Sequence, residues 1–304
     1  MAAPVGLIGL GIMGSAMSAS LMRAGYRVIG YDVLAARLRQ HRRAGGETAR
    51  TCADVGRRAR VIVTSLPSSQ ALLDTANALA GLPGPPRVVI ETSTLPIDVK
   101  AQARDILGAS RATLLDCPLS GTGAQARAGD LVVYASGNRA AFRRVIPVLK
   151  GFSRSQHYLG AFGAGSTMKF VANLLVAIHN VAAAEALVLA MKAGLDPARA
   201  FKAIADGAGA SRMLQVRGPS MVKNDYSDAN MKLDVWQKDM AIIADFARRL
   251  GSPTPLFTTT GPLYTAAINM GRGQEDTAAV CAVLEDRAGV KRKVRSTKFK
   301  VQSK

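Results

Sequence analysis

Six residues near the N-terminus, Gly9-Leu10-Gly11-Ile12-Met13-Gly14, constrain this chain more than any other feature. They follow a short apolar run, Val5 to Ile8, and lead into a helix-like segment, Met13 to Ala24, closed by Gly25. Each glycine then has its own reason. Gly9 permits a tight turn, Gly11 lets the backbone approach a pyrophosphate, and Gly14 allows close helix packing. The helix N-terminus offers free N–H groups and a favourable dipole to phosphates. A second strand, Arg27 to Tyr31, leads to Asp32, eighteen residues after Gly14, where a carboxylate can accept hydrogen bonds from an adenine ribose. The same carboxylate repels a 2′-phosphate, so the pattern favours NAD, with NADP the alternative because Arg37 stands nearby. Gly9, Leu10, Gly11, Ile12, Met13, Gly14 and Asp32 are the cofactor residues expected on this basis.

Strand-like runs keep alternating with helix-length segments. Val61 to Leu66, stopped by Pro67, Val88 to Ile90, Thr113 to Leu115 and Leu131 to Ala135 read as further strands. The alternation predicts an α/β, Rossmann-type doubly wound parallel sheet, with ligands beyond the carboxyl ends of its strands. At Gly163-Ala164-Gly165 the character changes. Ser166 to Ala193 holds neither Pro nor Gly and would span about 42 Å as one helix. Helical, turn-broken sequence follows. We therefore expect a dinucleotide-binding domain over 1–162, an all-α domain for substrate and oligomerisation over 163–289, entered through the long interdomain helix, and a basic disordered tail over 290–304.

The formal charge is +19, and seven of the cations crowd the tail after Gly289 without an acid. The remaining excess lies in Arg-rich helix patterns such as Arg37, Arg39, Arg42 and Arg43, and aromatics are only 5% of the chain, which argues against a dedicated nucleic-acid site. Cys52, Cys117 and Cys281 are widely spaced and odd in number, so neither a disulfide framework nor a zinc site is indicated. His41, His157 and His179 read as structural or exposed, and no metal site or GxSxG nucleophile elbow is present. The start carries no basic segment before its apolar run, and no uninterrupted apolar stretch of about 18 residues occurs, so a cytoplasmic protein without a membrane span is expected.

Five ordered blocks over most of residues 5 to 280 resemble the β-hydroxyacid dehydrogenase family, which includes 3-hydroxyisobutyrate dehydrogenase and tartronate semialdehyde reductase. Gly6 to Met17, GLIGLGIMGSAM, is similar to the family's N-terminal signature. Asp116-Cys117-Pro118-Leu119-Ser120-Gly121-Thr122-Gly123 resembles its substrate motif, with Thr122 in place of the second glycine of Ser-Gly-Gly. By that resemblance Ser120, Gly121 and Thr122 bind a substrate carboxylate, a role suited to a hydroxyl followed by successive N–H groups. Gly163 to Asn173 resembles the catalytic block, in which Lys169 and Asn173, four apart on one helical face, converge on one substrate atom. The resemblance implies that Lys169 exchanges a proton with the substrate oxygen while Asn173 orients it. Lys238-Asp239 resembles the family's Lys-Asp pair, placing Lys238 near the nicotinamide, with Met231 where relatives carry an aromatic residue. Leu66, Pro67, Ser93 and Thr94 match loops that line the dinucleotide, and Ser211 a turn that faces the substrate.

The function implied is an NAD(P)-dependent interconversion of a small hydroxy carboxylic acid and its semialdehyde or oxo form, in a homodimer or homotetramer. Two other readings compete. One is a non-catalytic dinucleotide-binding scaffold with a basic surface, which has no need for Lys169, Asn173 and the Ser120 turn together. The other is an imine reductase-like enzyme, which Lys169 disfavours.

Overall fold

The computed structural model describes residues 3–292; the part of the expected basic tail beyond Arg292 lies outside the described residues. In chain order the first elements are β1 (Val5–Ile8), α1 (Ile12–Arg23), β2 (Val28–Tyr31), α2 (Ala35–Arg43), β3 (Glu47–Thr48), α3 (Cys52–Arg58), β4 (Val61–Thr64) and α4 (Ser69–Leu79). They continue with β5 (Arg87–Glu91), α5 (Ile97–Gly108), β6 (Ala112–Asp116), β7 (Leu119–Ser120), α6 (Gly123–Ala128), β8 (Leu131–Ala135), α7 (Arg139–Lys150) and β9 (Ser153–Tyr158). Six strands form a sheet in the order β3-β2-β1-β4-β5-β6, and its strand pairs are parallel. This is the doubly wound, Rossmann-type order. Strand alternation divides the core: Val5 and Leu7 pack on one face with Met17 and Leu21, whereas Ile8 packs on the other with Val55, Ile62 and Leu72. Both faces being covered explains why these strands read as continuous apolar runs.

One strand departs from expectation. Leu131 to Ala135 does not extend the parallel sheet but is the centre of a separate three-stranded sheet, β7-β8-β9. It pairs antiparallel with β7 and parallel with β9. Pro118 directly after Cys117 has no N–H to donate, which breaks the chain out of β6, and β7 then takes an edge of β8. An antiparallel bridge, Asp116–Ser136, still joins the two sheets. The strands β3 and β7, of two residues each, carry no periodic signal.

The long helix α8 runs Ala164–Lys192, 29 residues, close to its expected span. Then come α9 (Pro197–Asp206), α10 (Arg212–Lys223), α11 (Leu233–Arg249), α12 (Pro255–Ala267) and α13 (Val280–Ala288). By length and composition α8 is apolar enough to cross a membrane, with a window of mean hydropathy 1.9, although isolated polar residues interrupt every long apolar run. Two of those residues are engaged inside the protein: Asn173 Nδ2 donates to Asp239 Oδ2, and Asn180 Nδ2 donates to Tyr264 Oη and to the Thr277 carbonyl.

The described chain forms two compact units, divided differently from the expected boundary at 163. The first extends to Leu175 and takes in Lys238–Pro253; the second comprises Val176–Gln237 and the chain from Thr254. Packing sets this division. The start of α8 is held to the Rossmann elements by Asp116, and Phe170 meets Phe246 of α11 edge-on at 5.2 Å. Among the described residues the second unit is helical apart from a bridge, Lys232–Asp276, and rests on an edge-on Trp236–Tyr264 contact and a buried Arg217–Asp276 ion pair. In the tail, Arg292 donates to Glu285 and to the Val222 and Met221 carbonyls.

Candidate active site

The glycine turn is built as its sequence requires. Gly9 has φ +92, and a Cβ there would lie 2.1 Å from the Ser65 carbonyl oxygen. At Gly14 a Cβ would lie 1.8 Å from the Gly9 carbonyl oxygen, so only glycine lets α1 start this close to the turn. Among the described residues no side chain caps α1 at Gly11, which leaves the N–H groups of Ile12, Met13 and Gly14 free of a capping side chain. Asp32, 6% exposed, is engaged within the protein. Its Oδ2 accepts from the Leu10 N–H (2.7 Å) and its Oδ1 from the Leu34 N–H (2.8 Å), while Arg37 Nη1 lies 3.4 Å from Oδ2. The carboxylate therefore fixes the glycine turn. These residues fit a dinucleotide: a cradle closed to any Cβ, an open helix start, and a carboxylate at the end of the neighbouring strand.

The loops after β4 and β5 are tied together. Ser93 Oγ accepts from the Leu66 N–H (2.8 Å), and Lys238 Nζ donates to the Thr94 carbonyl (2.7 Å). Leu66, Ser93, Thr94 and Lys238 thus belong to one cluster in the first unit, with Pro67 next to Leu66.

The turn that resembles the family's substrate motif is tied up within the protein at its third residue. Ser120 ends β7, Gly121 has φ +140, and Thr122 is the N-cap of α6. Thr122 and Gln125 form a capping box: the Thr122 hydroxyl accepts from the Gln125 N–H, and the Thr122 N–H donates to Gln125 Oε1 (3.0 Å). The Thr122 amide is therefore committed within the protein, because a Thr-x-x-Gln sequence closes on itself. The α1 start lies beside this turn, since a Cβ on Gly123 would come 2.8 Å from Ile12 Cγ2.

The start of α8 brings the catalytic candidates to the same unit. Gly165 is required there, as a Cβ would lie 2.3 Å from the Tyr134 carbonyl oxygen. Asn173, 4% exposed, is oriented by Asp239 Oδ2 at 3.1 Å, which turns its amide nitrogen to the carboxylate and leaves Oδ1 to face elsewhere. Asp239 is 4% exposed; burial pushes its pKa up, while Lys238 Nζ at 3.4 Å from Oδ1, and then Lys169, pull it down. Lys169 is half-buried. Burial first of all, then the cations Lys238 and Lys100, draw its ammonium from 10.5 to about 8 against the attraction of Asp239. Ser211 belongs to the second unit, where its hydroxyl caps α10 by accepting from the Leu214 N–H (3.1 Å).

Sequence reasoning assigned no orienting role to Asp239 toward Asn173 and missed the buried trio Glu91, Lys100 and Asp116. An acid closing each of two successive apolar strands, β5 and β6, was the available signal.

Fold and site together define an NAD(P)-dependent dehydrogenase of hydroxy acids. A family model described as the NAD binding domain of 6-phosphogluconate dehydrogenase matches residues 4–160, and one described as NAD-binding of NADP-dependent 3-hydroxyisobutyrate dehydrogenase matches residues 163–284. L-threonate dehydrogenase of Cupriavidus necator is 33% identical over 283 residues, covering 92% of this chain and 95% of that protein. The 2-hydroxy-3-oxopropionate reductase of Escherichia coli is 32% identical over 288 residues, covering 92% and 97%. The crystal structure of 3-hydroxyisobutyrate dehydrogenase from Salmonella typhimurium superposes with a TM-score of 0.82 at 30% identity, covering 92% of this chain and 99% of that one. The chain belongs to the β-hydroxyacid dehydrogenase family.

Proposed function

We propose that this enzyme interconverts a small hydroxy carboxylic acid and its semialdehyde or oxo form, with Lys169 as general acid and base and NAD as the preferred cofactor. The observation that carries this reading is the pairing of a lysine drawn to about 8 with an asparagine whose amide is locked by Asp239. A free lysine near 10.4 is a poor proton donor at neutral pH, whereas one near 8 exchanges its proton in both directions.

When bound, the nicotinamide supplies or accepts the hydride. In reduction, the Lys169 ammonium gives its proton to the carbonyl oxygen; in oxidation the neutral amine takes it from the hydroxyl. Asn173 orients that oxygen, using the Oδ1 and the remaining amide hydrogen left by the bond to Asp239. Ser120 and Gly121 hold the carboxylate at the opposite end, through a hydroxyl and backbone N–H groups. The preference for NAD rests on Asp32, whose charge opposes a 2′-phosphate. Substrates of the size of those named in the relatives, from an oxopropionate to a threonate, define the panel to try.

The test is initial rates for wild type and Lys169→Ala on small hydroxy acids and semialdehydes, each with NAD(H) and NADP(H). We expect wild-type turnover that falls at least about a hundredfold in the variant while NADH still binds. Undiminished turnover in Lys169→Ala would remove Lys169 from the proton-transfer role.

A further inference from the structure

One buried charged cluster in the first unit is unused by the proton-transfer reading. Lys100 of α5 meets Glu91, at the end of β5, and Asp116, at the end of β6. Its Nζ lies 3.0 Å from Glu91 Oε2 and 2.9 Å from Asp116 Oδ1, and the three side chains are 0–1% exposed. Burial works against the Lys100 ammonium, yet Asp116 and then Glu91 hold its pKa above the ordinary lysine value, so it stays charged. A packed apolar trio would serve stability as well or better, since desolvating three ions is costly.

Each carboxylate leads on to a different part of the site. Both Glu91 oxygens accept from the Ser93 N–H, at 3.1 and 2.9 Å, and Ser93 Oγ in turn accepts from the Leu66 N–H. On the other side, Asp116 Oδ1 accepts from the Ser166 hydroxyl (2.7 Å) and Oδ2 from the Ser166 N–H (2.8 Å). The Ser136 hydroxyl donates to Asp116 Oδ2 (3.0 Å) and accepts from the Gly165 N–H (3.0 Å). Two first-turn N–H groups of α8 are therefore held by Asp116, directly or through Ser136. Lys169 follows Ser166 by three residues on that helix.

We propose that Lys100 is a positioning residue, clamping Glu91 to Asp116 and so fixing the loop at Thr92-Ser93-Thr94 in register with the first turn of the helix that carries Lys169. The proposal rests on the reading of Lys169 as the proton-transfer group. Lys100 acts through backbone placement and through its charge, without touching substrate. Displacements of about 1 Å at a catalytic group cost on the order of a hundredfold in rate, so a clamp on the first turn matters to turnover. Its charge matters too. The charged groups acting on Lys169 are Asp239 and Lys238 from α11 and Lys100 from α5. Removing Lys100 removes a repulsion from the Lys169 ammonium, which then holds its proton more tightly.

The experiment compares wild type, Lys100→Met, Ser166→Ala and Lys169→Ala across pH, with kcat, KM and the dissociation constant for NADH. In folded Lys100→Met, assayed in the reduction direction that needs the Lys169 ammonium, we expect kcat to fall about tenfold or more and the alkaline limb to move up. A limb that stays in place in folded Lys100→Met overturns the proposal, whatever happens to kcat, because a merely structural role would leave it there. If Lys100→Met does not fold, Ser166→Ala decides, since it loosens the helix seat with every charge retained. A fall in kcat of about fivefold or more, with Tm and NADH affinity held, supports the clamp; wild-type kcat overturns it. Lys169→Ala separates the two levels. If that variant keeps full activity, the proton-transfer reading itself fails; if it is inactive while Lys100→Met matches wild type, only the clamp fails.

Discussion

Replacing Lys169 with Met should make the protein more stable at neutral pH while stopping turnover. Methionine keeps the length and apolar stem of the side chain and removes the ammonium that burial disfavours. That burial, reinforced by Lys238 and Lys100 and opposed by Asp239, draws the group from 10.5 to about 8. At roughly 1.4 kcal/mol per pH unit, holding the charge costs at most about 3.5 kcal/mol. Water reaching a half-buried side chain reduces this, so the expected gain is about 1–3 kcal/mol. Asp239 stays paired in the variant, because Lys238 Nζ remains 3.4 Å from it. The folded-state pKa lies below the unfolded one, so the wild-type protein has its full stability from this group above about pH 10.4 and loses it as pH falls through about 8. The advantage of methionine is therefore complete below about pH 8 and fades towards about pH 10–11. Urea unfolding followed by circular dichroism at both ends of that window measures it, alongside a loss in kcat of about 10²–10⁴-fold. A gain equal at both pH values would mean better packing and nothing about charge. A methionine variant less stable at neutral pH would refute the claim that the ammonium is held at a cost.

Three further outcomes follow from the geometry. Asp32→Asn keeps an acceptor oxygen for Leu10 or Leu34 but removes the charge, and should shift the NAD to NADP preference ratio about 10–100-fold towards NADP; an unchanged ratio in paired kcat/KM measurements contradicts the assigned role. Gly14→Ala would force a Cβ 1.8 Å from the Gly9 carbonyl oxygen, so we expect about 1–3 kcal/mol of destabilisation and NADH binding weakened at least about tenfold, read by urea unfolding and fluorescence titration. Asp276→Ala removes the acceptor for Arg217 Nε (3.1 Å) and for the N–H groups of Asn230, Met231 and Ala278, leaving a buried cation unpaired. That should cost about 3–5 kcal/mol in urea unfolding, and a loss below about 1 kcal/mol would show that solvent or a neighbour replaces the carboxylate.

What the sequence determined by itself is local. The turn at Gly9 and the close start of α1 at Gly14 are matters of steric fit, and Asp32 follows from the length of one helix and one strand, so these residues were legible without a fold. The i, i+4 spacing of Lys169 and Asn173 likewise needs only a helix. The capping box at Thr122 is equally local: Thr-x-x-Gln is a helix-start pattern that overlaps the segment resembling the family's substrate motif.

Tertiary structure decided what depends on partners distant in the chain. Periodicity says that Leu131 to Ala135 is a strand, and only the sheet says which neighbours it takes, because hydrogen-bonding edges are the same on every strand. Asp239 reaches Asn173 across 66 residues, and Asp116 reaches Ser166 across 50. The state of Lys169 is decided the same way. An isolated lysine titrates near 10.4, and what brings this one to about 8 is the removal of water together with Lys238 and Lys100, none of which a linear sequence records.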